Sequence, residues 1–78
     1  MEIKVSFFGA LIDVTGTIVK TYSGVNCLSE LMTRLYDDYR EIVHYKYRIA
    51  INSKLTTEKE YQFVSGDEVS FIPPFVGG

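Results

Sequence analysis

The sequence is poor in the residue types from which self-contained active sites are usually built. Its 78 residues include one histidine, His44, and one cysteine, Cys27. A single cysteine excludes an internal disulfide and agrees with a reducing compartment. One histidine and one cysteine cannot close a zinc site without distant carboxylates, so no metal site is predicted. We interpret His44 as a surface or structural residue. We assign Cys27 no function, because no second cysteine or histidine lies near it in sequence.

Long apolar runs and clustered basic residues are also missing. No run approaches the roughly 20 apolar residues that span a membrane. Residues 1–4 lack the basic and apolar regions of a signal peptide, so we expect a cytoplasmic protein without membrane contact. The net charge is −2, and the eight basic residues are scattered apart from Lys46 and Arg48. Because phosphate neutralisation dominates nucleic-acid binding, nucleic acid is not an expected partner.

The residues that are present form the alternating patterns typical of strands. In residues 2–8, Ile3, Val5 and Phe7 would face a core, while Phe8 falls on the opposite, outer side. Similar patterns and β-forming residues predict further strands at residues 17–22, 47–51, 54–55 and 68–72.

One amphipathic helix is predicted after the second strand. Asn26 is the predicted N-cap, and apolar residues recur at helical spacing from Leu28 to Tyr39. Residues 10–15 are predicted as a short connection, and a capping-box pattern predicts a single helical turn at residues 57–60. These elements predict an α+β domain of two layers, in which a sheet of four or five strands carries one main helix.

The segment after the last predicted strand is unusual for the end of a domain. Pro73 and Pro74 have no N–H to donate, so the strand must stop at Ile72. Residues 73–78, extended at about 3.3 Å each, would reach about 20 Å from the fold. Such a tail is long enough to enter another protein's active site.

The tail residues themselves allow two interpretations. Phe75 and Val76 are apolar, whereas frayed termini tend to be polar. Gly77 and Gly78 lack a Cβ, so a narrow channel could admit them and a nucleophile could approach the terminal carbonyl. Spacing alone leaves a frayed terminus and a channel-ready tail equally open.

The end of the chain resembles the closing motif of a known family. From Gly66 to Gly78 it reads Gly-Asp-Glu-Val-Ser-Phe-Ile-Pro-Pro-Phe-Val-Gly-Gly. Small subunits of molybdopterin synthase, within the MoaD/ThiS ubiquitin-like sulfur carriers, commonly end in Gly-Asp-Glu-Val, a β run, Pro-Pro, two small or apolar residues and Gly-Gly. A mid-chain strand ending at Asn52 is also similar, and the resemblance covers essentially the whole chain. Phe75 and Val76 depart from the residues usual in that family.

The resemblance implies a fold and a working cycle. The fold is a β-grasp (ubiquitin-like) domain with a mixed sheet over residues 1–72, followed by an extended tail at residues 73–78. In the cycle, an E1-like enzyme adenylates the Gly78 carboxylate with ATP and a sulfur donor protein supplies sulfur. The thiocarboxylate then enters the large subunit of molybdopterin synthase. The residues that would insert with it are Pro73, Pro74, Phe75, Val76 and Gly77. We expect no bound cofactor and no catalysis by the chain alone, since the activating partner uses the ATP.

A docking patch is predicted beside the start of the tail. In a β-grasp sheet the first and last strands are parallel neighbours. Phe8 and Ile72 each take the outward register at the end of their strand, so they would lie together. Two adjacent exposed apolar side chains predict a surface for a partner, unless the connection at residues 10–15 covers them.

Other functions remain open on the same residues. The sulfur could serve thiazole synthesis or tRNA thiolation, because Phe75 and Val76 leave the pathway undecided. The chain could also be a ubiquitin-like modifier joined to lysines through Gly78, or a binding domain whose tail is idle.

Overall fold

The computed structural model of the protein describes residues 1–74. In chain order its elements are β1 (Glu2–Phe7), α1 (Ala10–Thr15), β2 (Val19–Ser23), α2 (Leu28–Asp38), a 3₁₀ helix (Arg40–His44), β3 (Arg48–Ile51), β4 (Lys54–Thr56) and β5 (Glu68–Ile72). Within the described residues, none of the helices has the length and apolar character that a membrane span needs.

The five strands form one mixed sheet in the order β2-β1-β5-β3-β4. The first and last strands are therefore internal to the sheet. They run parallel, with Val5 opposite Val69 and Phe7 opposite Phe71. The other neighbouring strands pair antiparallel. With α2 packed across one face, this arrangement confirms the predicted two-layer α+β domain.

Alternation in the strands and helical spacing in α2 bring their apolar residues into one core. Ile3, Val5 and Phe7 are at most 1% exposed, and Val69 and Phe71 are fully buried. The residues that α2 adds to the same cluster are Leu28, Leu31, Met32 and Leu35. Burying a side chain of this size contributes about 1.5–3 kcal/mol, so these positions carry much of the stability of so small a domain.

Helix α2 has a different N-cap from the one predicted. Cys27 occupies that position, with extended backbone (φ −146°, ψ 169°), and Asn26 precedes it. The Asn26 N–H donates to a Glu30 carboxylate oxygen at 2.7 Å. The acid in the first turn thus reaches back to the backbone, as in one half of a capping box. The prediction of Asn26 as the cap was wrong because the Asn26 backbone, rather than its side chain, takes part.

Residues 10–15, predicted as a connection, form helix α1 instead. Leu11 is 2% exposed and anchors this short helix in the core. The Thr15 hydroxyl donates to the Leu11 carbonyl at 3.0 Å. Gly16 ends the helix in the left-handed region, with φ 74°. The segment was misread because six residues, several of them β-branched, are too few to display helical periodicity.

The helical turn predicted at residues 57–60 is absent, and the segment has another role. The Thr56 hydroxyl accepts from the Glu58 N–H at 3.0 Å, which turns the chain directly after β4. The chain then passes the start of α2, where the Leu28 N–H donates to the Tyr61 carbonyl at 3.0 Å. Backbone carbonyls of this loop therefore satisfy N–H groups that a helix start leaves open.

Candidate functional site

The candidate site begins where β5 leaves the sheet. The last residue of β5, Ile72, lies opposite Arg48 of β3. On the other side, the Phe8 N–H donates to the Phe71 carbonyl at 3.1 Å. Pro73 and Pro74 follow as exposed residues that cannot donate to either neighbouring strand. The chain therefore leaves from the middle of the sheet rather than from an edge.

The rest of the predicted tail lies outside the described residues. This applies to Phe75, Val76, Gly77 and Gly78, whose roles stay predictions. For Pro73 and Pro74 the structure gives a position directly after β5, and their insertion into a partner also stays a prediction.

The two residues of the predicted docking patch lie on neighbouring strand ends. Phe7 is opposite Phe71 in the parallel ladder, so Phe8 and Ile72 are the next residues along each strand. Phe8 is 46% exposed and Ile72 is half-buried. Helix α1 places Leu11 in the core and leaves Phe8 open to solvent. The geometry for a docking patch is therefore present, and its use by a partner is a proposal.

The structure adds two residues to this face that the sequence did not single out. Arg48 pairs with Ile72 and so shares its outward register. Leu55 of β4 lies opposite Ala50 of β3 and is 53% exposed. The segment containing Leu55 was predicted to be a strand, but its face could not be assigned without the pairing register. The outer face of the sheet thus carries Phe8, Ile72, Leu55 and Arg48, and farther along it Lys4, which lies opposite Glu68.

Gly9 lies directly beneath the first residue of the tail. It connects β1 to α1 with φ 63° and ψ −139°. A Cβ built on Gly9 would lie 2.7 Å from the Cγ of Pro73, closer than side chains pack. The proline ring therefore occupies the space above the bare Cα of Gly9.

The Asp67 of the closing motif is a structural residue at the opposite end of β5. It is 4% exposed and accepts three hydrogen bonds. The donors are the Asn52 amide at 2.8 Å, the Val64 N–H at 2.9 Å and the Tyr61 hydroxyl at 3.2 Å. The Asn52 side-chain oxygen in turn accepts from the Glu68 N–H at 3.0 Å. This network ties the β3–β4 turn to the start of β5.

Burial and hydrogen bonding act in opposite directions on the Asp67 carboxylate. Burial alone would raise the pKa of Asp67, because it penalises the charged form. The hydrogen bonds from Val64, Asn52 and Tyr61 outweigh that effect and hold the pKa below its ordinary value of 3.8. Asp67 is therefore ionised at neutral pH and serves as the acceptor of the network.

This lowered pKa predicts a pH dependence of stability. Because the folded-state pKa lies below the unfolded one, the contribution of Asp67 is complete above about pH 4 and is lost as the pH falls further. We expect the free energy of unfolding of the wild type to exceed that of Asp67→Asn at neutral pH, with the difference shrinking below about pH 4. Urea denaturation of both proteins across this range is the measurement. A difference that stays constant down to about pH 2.5 would contradict the assignment.

A groove of about 740 Å³ opens beside the exit of the chain, and Pro74 forms part of its rim. Three tyrosines and three cations are among its lining residues: Tyr36, Tyr45, Tyr47, Lys46, Arg48 and Lys59. Among the described residues that line it, none is acidic. The groove could accept an apolar side chain next to a carboxylate.

The remaining candidate groups do not form a site. His44 is exposed, and the buried Cys27 thiol lies 3.2 Å from the Ser29 hydroxyl. Among residues 1–74, no group of three or more His, Cys, Asp or Glu side chains could hold a metal ion.

The sheet order and the exit of the chain define a class. A mixed sheet of order β2-β1-β5-β3-β4 with one main helix across it is the β-grasp arrangement of ubiquitin-like proteins. The model of the ThiS family matches residues 5–78, so the chain belongs to the ThiS family. This confirms the place among the MoaD/ThiS ubiquitin-like proteins that the closing motif predicted.

Similar solved structures share the fold over nearly their whole length. A chain of the complex of subunits 1 and 2 of molybdopterin-converting factor from Helicobacter pylori has 28% identity and a TM-score of 0.78, with 100% of both chains covered. Small archaeal modifier protein 1 from Methanosarcina acetivorans has 23% identity and a TM-score of 0.83, covering 99% of this chain and 96% of that one. Urm1 from Trypanosoma brucei has 21% identity and a TM-score of 0.73, covering 99% and 95%. The last two show the fold alone. No curated protein matches the sequence.

Proposed function

We propose that the chain is a sulfur carrier for molybdenum cofactor synthesis, acting as the small subunit of molybdopterin synthase. The observation that carries this proposal is the full-length likeness, at 28% identity, to a chain of the molybdopterin-converting factor complex. The closing motif, with Pro73 and Pro74 before two glycines, supports the same pathway. The family model reaches residue 78, so it includes the tail on which the chemistry depends.

The proposed chemistry uses the terminal carboxylate of Gly78. On an E1-like activating enzyme, this carboxylate attacks the α-phosphate of ATP, pyrophosphate leaves, and an acyl adenylate forms. Hydrosulfide (HS⁻) delivered by a donor protein attacks the acyl carbon and displaces AMP, which leaves a thiocarboxylate that the large synthase subunit then uses as its sulfur source. Catalytic groups come from these partners, in the cytoplasm, and the chain itself binds no cofactor. Gly78 is thus the substrate end of a carrier.

The geometry of the exit suits this division of labour. The outer face around Phe8 and Ile72 can hold the folded domain against a partner while the tail reaches into the partner's active site. Ordering six tail residues costs roughly 1–2 kcal/mol each, which keeps such docking reversible. Pro73 and Pro74 reduce the cost because they have less freedom to lose. Reversible docking is what a carrier that visits several enzymes needs.

The central test is mass spectrometry of the intact chain after incubation with ATP, the activating enzyme and a sulfur source. We expect a gain of about 16 Da, because one oxygen is replaced by sulfur, and fragmentation should place it on Gly78. A parallel reaction without ATP is the control. No gain, or a gain at Cys27, would contradict the carrier proposal. Release of sulfur from the loaded chain upon addition of the large synthase subunit and its pterin precursor tests the pathway separately.

Charging the docking patch should weaken partner binding while leaving the fold intact. We expect Phe8→Glu and Ile72→Glu each to lower the affinity for the activating enzyme about 10- to 100-fold, since a charge in a desolvated contact is costly. Val64→Glu is the matched control, because Val64 is 62% exposed and precedes the opposite end of β5. Titration calorimetry measures binding, and thermal unfolding checks the fold. Loss of folding in either patch variant, or affinity equal to the control, would remove the patch from the proposal.

A second candidate function uses the same activated tail. If a lysine amine attacks the adenylated or thioester-bound Gly78, the chain becomes a ubiquitin-like modifier. Phe75 and Val76 depart from the residues usual before the glycines. They therefore leave both the modifier function and other sulfur pathways open. Isopeptide-linked adducts in cells, absent for a chain lacking Gly78, would identify a modifier.

A further inference from the structure

Two separate structural reasons explain why residue 9 is glycine, and together they indicate that Gly9 helps to orient the tail. Its backbone (φ 63°, ψ −139°) lies in a region that residues with side chains rarely adopt. In addition, a Cβ at this position would lie 2.7 Å from the Cγ and 3.6 Å from the Cδ of Pro73. The first reason concerns the turn from β1 to α1. The second concerns the tail alone.

Comparison with the other described glycines of positive φ separates the contact with Pro73 from the effect of backbone conformation. Gly16, Gly24 and Gly66 have φ values of 74°, 79° and 89°, and a Cβ on any of them would meet nothing within 4 Å. Their backbone conformation alone explains why they are glycine. Gly9 is the one of the four whose missing side chain makes room for another residue.

Pro73 is the first residue of the tail, so the position of its ring influences the direction in which the tail leaves the fold. The ring of Pro73 fixes its own φ near −65°. With the ring resting on Gly9, the direction of the chain after Ile72 is restricted at its base. Phe8, of the docking patch, is the residue next to Gly9 in sequence. The surface that would contact a partner and the Gly9 position on which the Pro73 ring rests are therefore directly adjacent.

We infer that Gly9 is a positioning residue for the reactions of the tail: its bare Cα seats the Pro73 ring and so aims Gly78 into the partner's active site. This inference rests on the proposed carrier function. A side chain at residue 9 would push the ring away and redirect the tail. Displacement of a reacting group by about 1 Å can cost about 100-fold in rate.

The experiment measures steady-state loading of four variants by the activating enzyme that loads the wild type. Gly9→Ala should lower kcat about 10- to 100-fold, because the carboxylate is misplaced. Its KM should stay within about three-fold, since the docking patch is unchanged. Gly24→Ala, which also places a side chain at a positive φ (79°) but meets nothing within 4 Å, should stay within about two-fold of wild type in both parameters.

The decisive variant is the pair Gly9→Ala with Pro73→Ala. Replacing Pro73 by alanine removes Cγ and Cδ and keeps the Cβ, which lies 3.9 Å from the built Gly9 Cβ. In the wild-type background Pro73→Ala should lower kcat, because the ring that restricts the base of the tail is lost, whereas in the Gly9→Ala background it should raise kcat about ten-fold. This reversal of sign cannot arise from backbone strain at residue 9, because that strain is present with either residue at position 73.

Three results would overturn the inference. They are a Gly9→Ala variant that behaves like Gly24→Ala, a double variant no faster than Gly9→Ala, and absence of a nuclear Overhauser contact between Gly9 Hα and the Pro73 ring in the wild type. The last measurement decides the matter if Gly9→Ala fails to fold. If the wild type itself is not loaded, the carrier function fails, which is distinguishable from a loaded wild type with an unaffected Gly9→Ala variant.

Discussion

Removal of Gly78 is expected to abolish loading of the chain with sulfur. The new terminal carboxylate, on Gly77, would stop about 3.3 Å short of the position that the activating enzyme holds for attack on ATP. Because an error of about 1 Å already costs about 100-fold, we expect loading to fall by at least that factor. The measurement is the gain of about 16 Da in the intact mass after incubation with ATP, the enzyme and a sulfur source.

The fold provides the control for this experiment. All buried hydrophobic residues found in the described part of the chain lie between Ile3 and Phe71, so the truncation leaves each of them in the chain. We expect the free energy of unfolding to stay within about 0.5 kcal/mol of the wild type. Gly78→Ala retains the length and adds only a Cβ, so it should lose less activity than the truncation. If the truncated chain is sulfurated as fast as the wild type, Gly78 is not the carrier residue.

Replacing Asp67 by alanine is expected to cost about 3 kcal/mol of stability, the largest effect that we predict on folding. The change leaves three donors without their acceptor: the Asn52 amide, the Tyr61 hydroxyl and the Val64 N–H. Each unsatisfied buried group costs about 1–3 kcal/mol, and water reaching the exposed part of the network offsets some of the sum. Urea denaturation at neutral pH is the measurement.

The matched control for Asp67 is Asp37, an exposed aspartate on α2. Asp37→Ala should change the free energy of unfolding by no more than about 0.5 kcal/mol. Sulfur loading separates a structural from a catalytic role, because Asp67 is at the end of β5 away from the tail. Below its unfolding transition, Asp67→Ala should load at close to the wild-type rate. A loss under about 1 kcal/mol, or a loading defect in the folded variant, would contradict the structural role.

The parts of the fold that sequence predicted well are those with a clear period. Alternation placed Ile3, Val5 and Phe7 inward, and it left Phe8 outside, where the structure also has it. The closing motif gave the family and the point at which β5 ends. In each case the signal is local, because an inward or outward position depends only on neighbours along the strand.

The parts that sequence missed depend on residues far apart in the chain. From the sequence, Asp67 could be placed only within the closing motif, since its hydrogen bond with Asn52 forms only when β3 and β5 are neighbours. Leu55 needed the β3–β4 register before it could be assigned to the outer face. The space above Gly9 is invisible in the sequence, because Pro73 lies 64 residues later. Helix α1 was missed for a local reason, its shortness.

The inner position of β5 has a consequence for how the protein is made. β5 is the last strand to be synthesised, yet it lies between β1 and β3. A nascent chain that ends before residues 68–72 cannot close its sheet, so it exposes strand edges and core residues to chaperones and proteases. Ile72 of the docking patch belongs to that same strand. Closure of the sheet and completion of the proposed docking patch therefore both wait for the synthesis of β5.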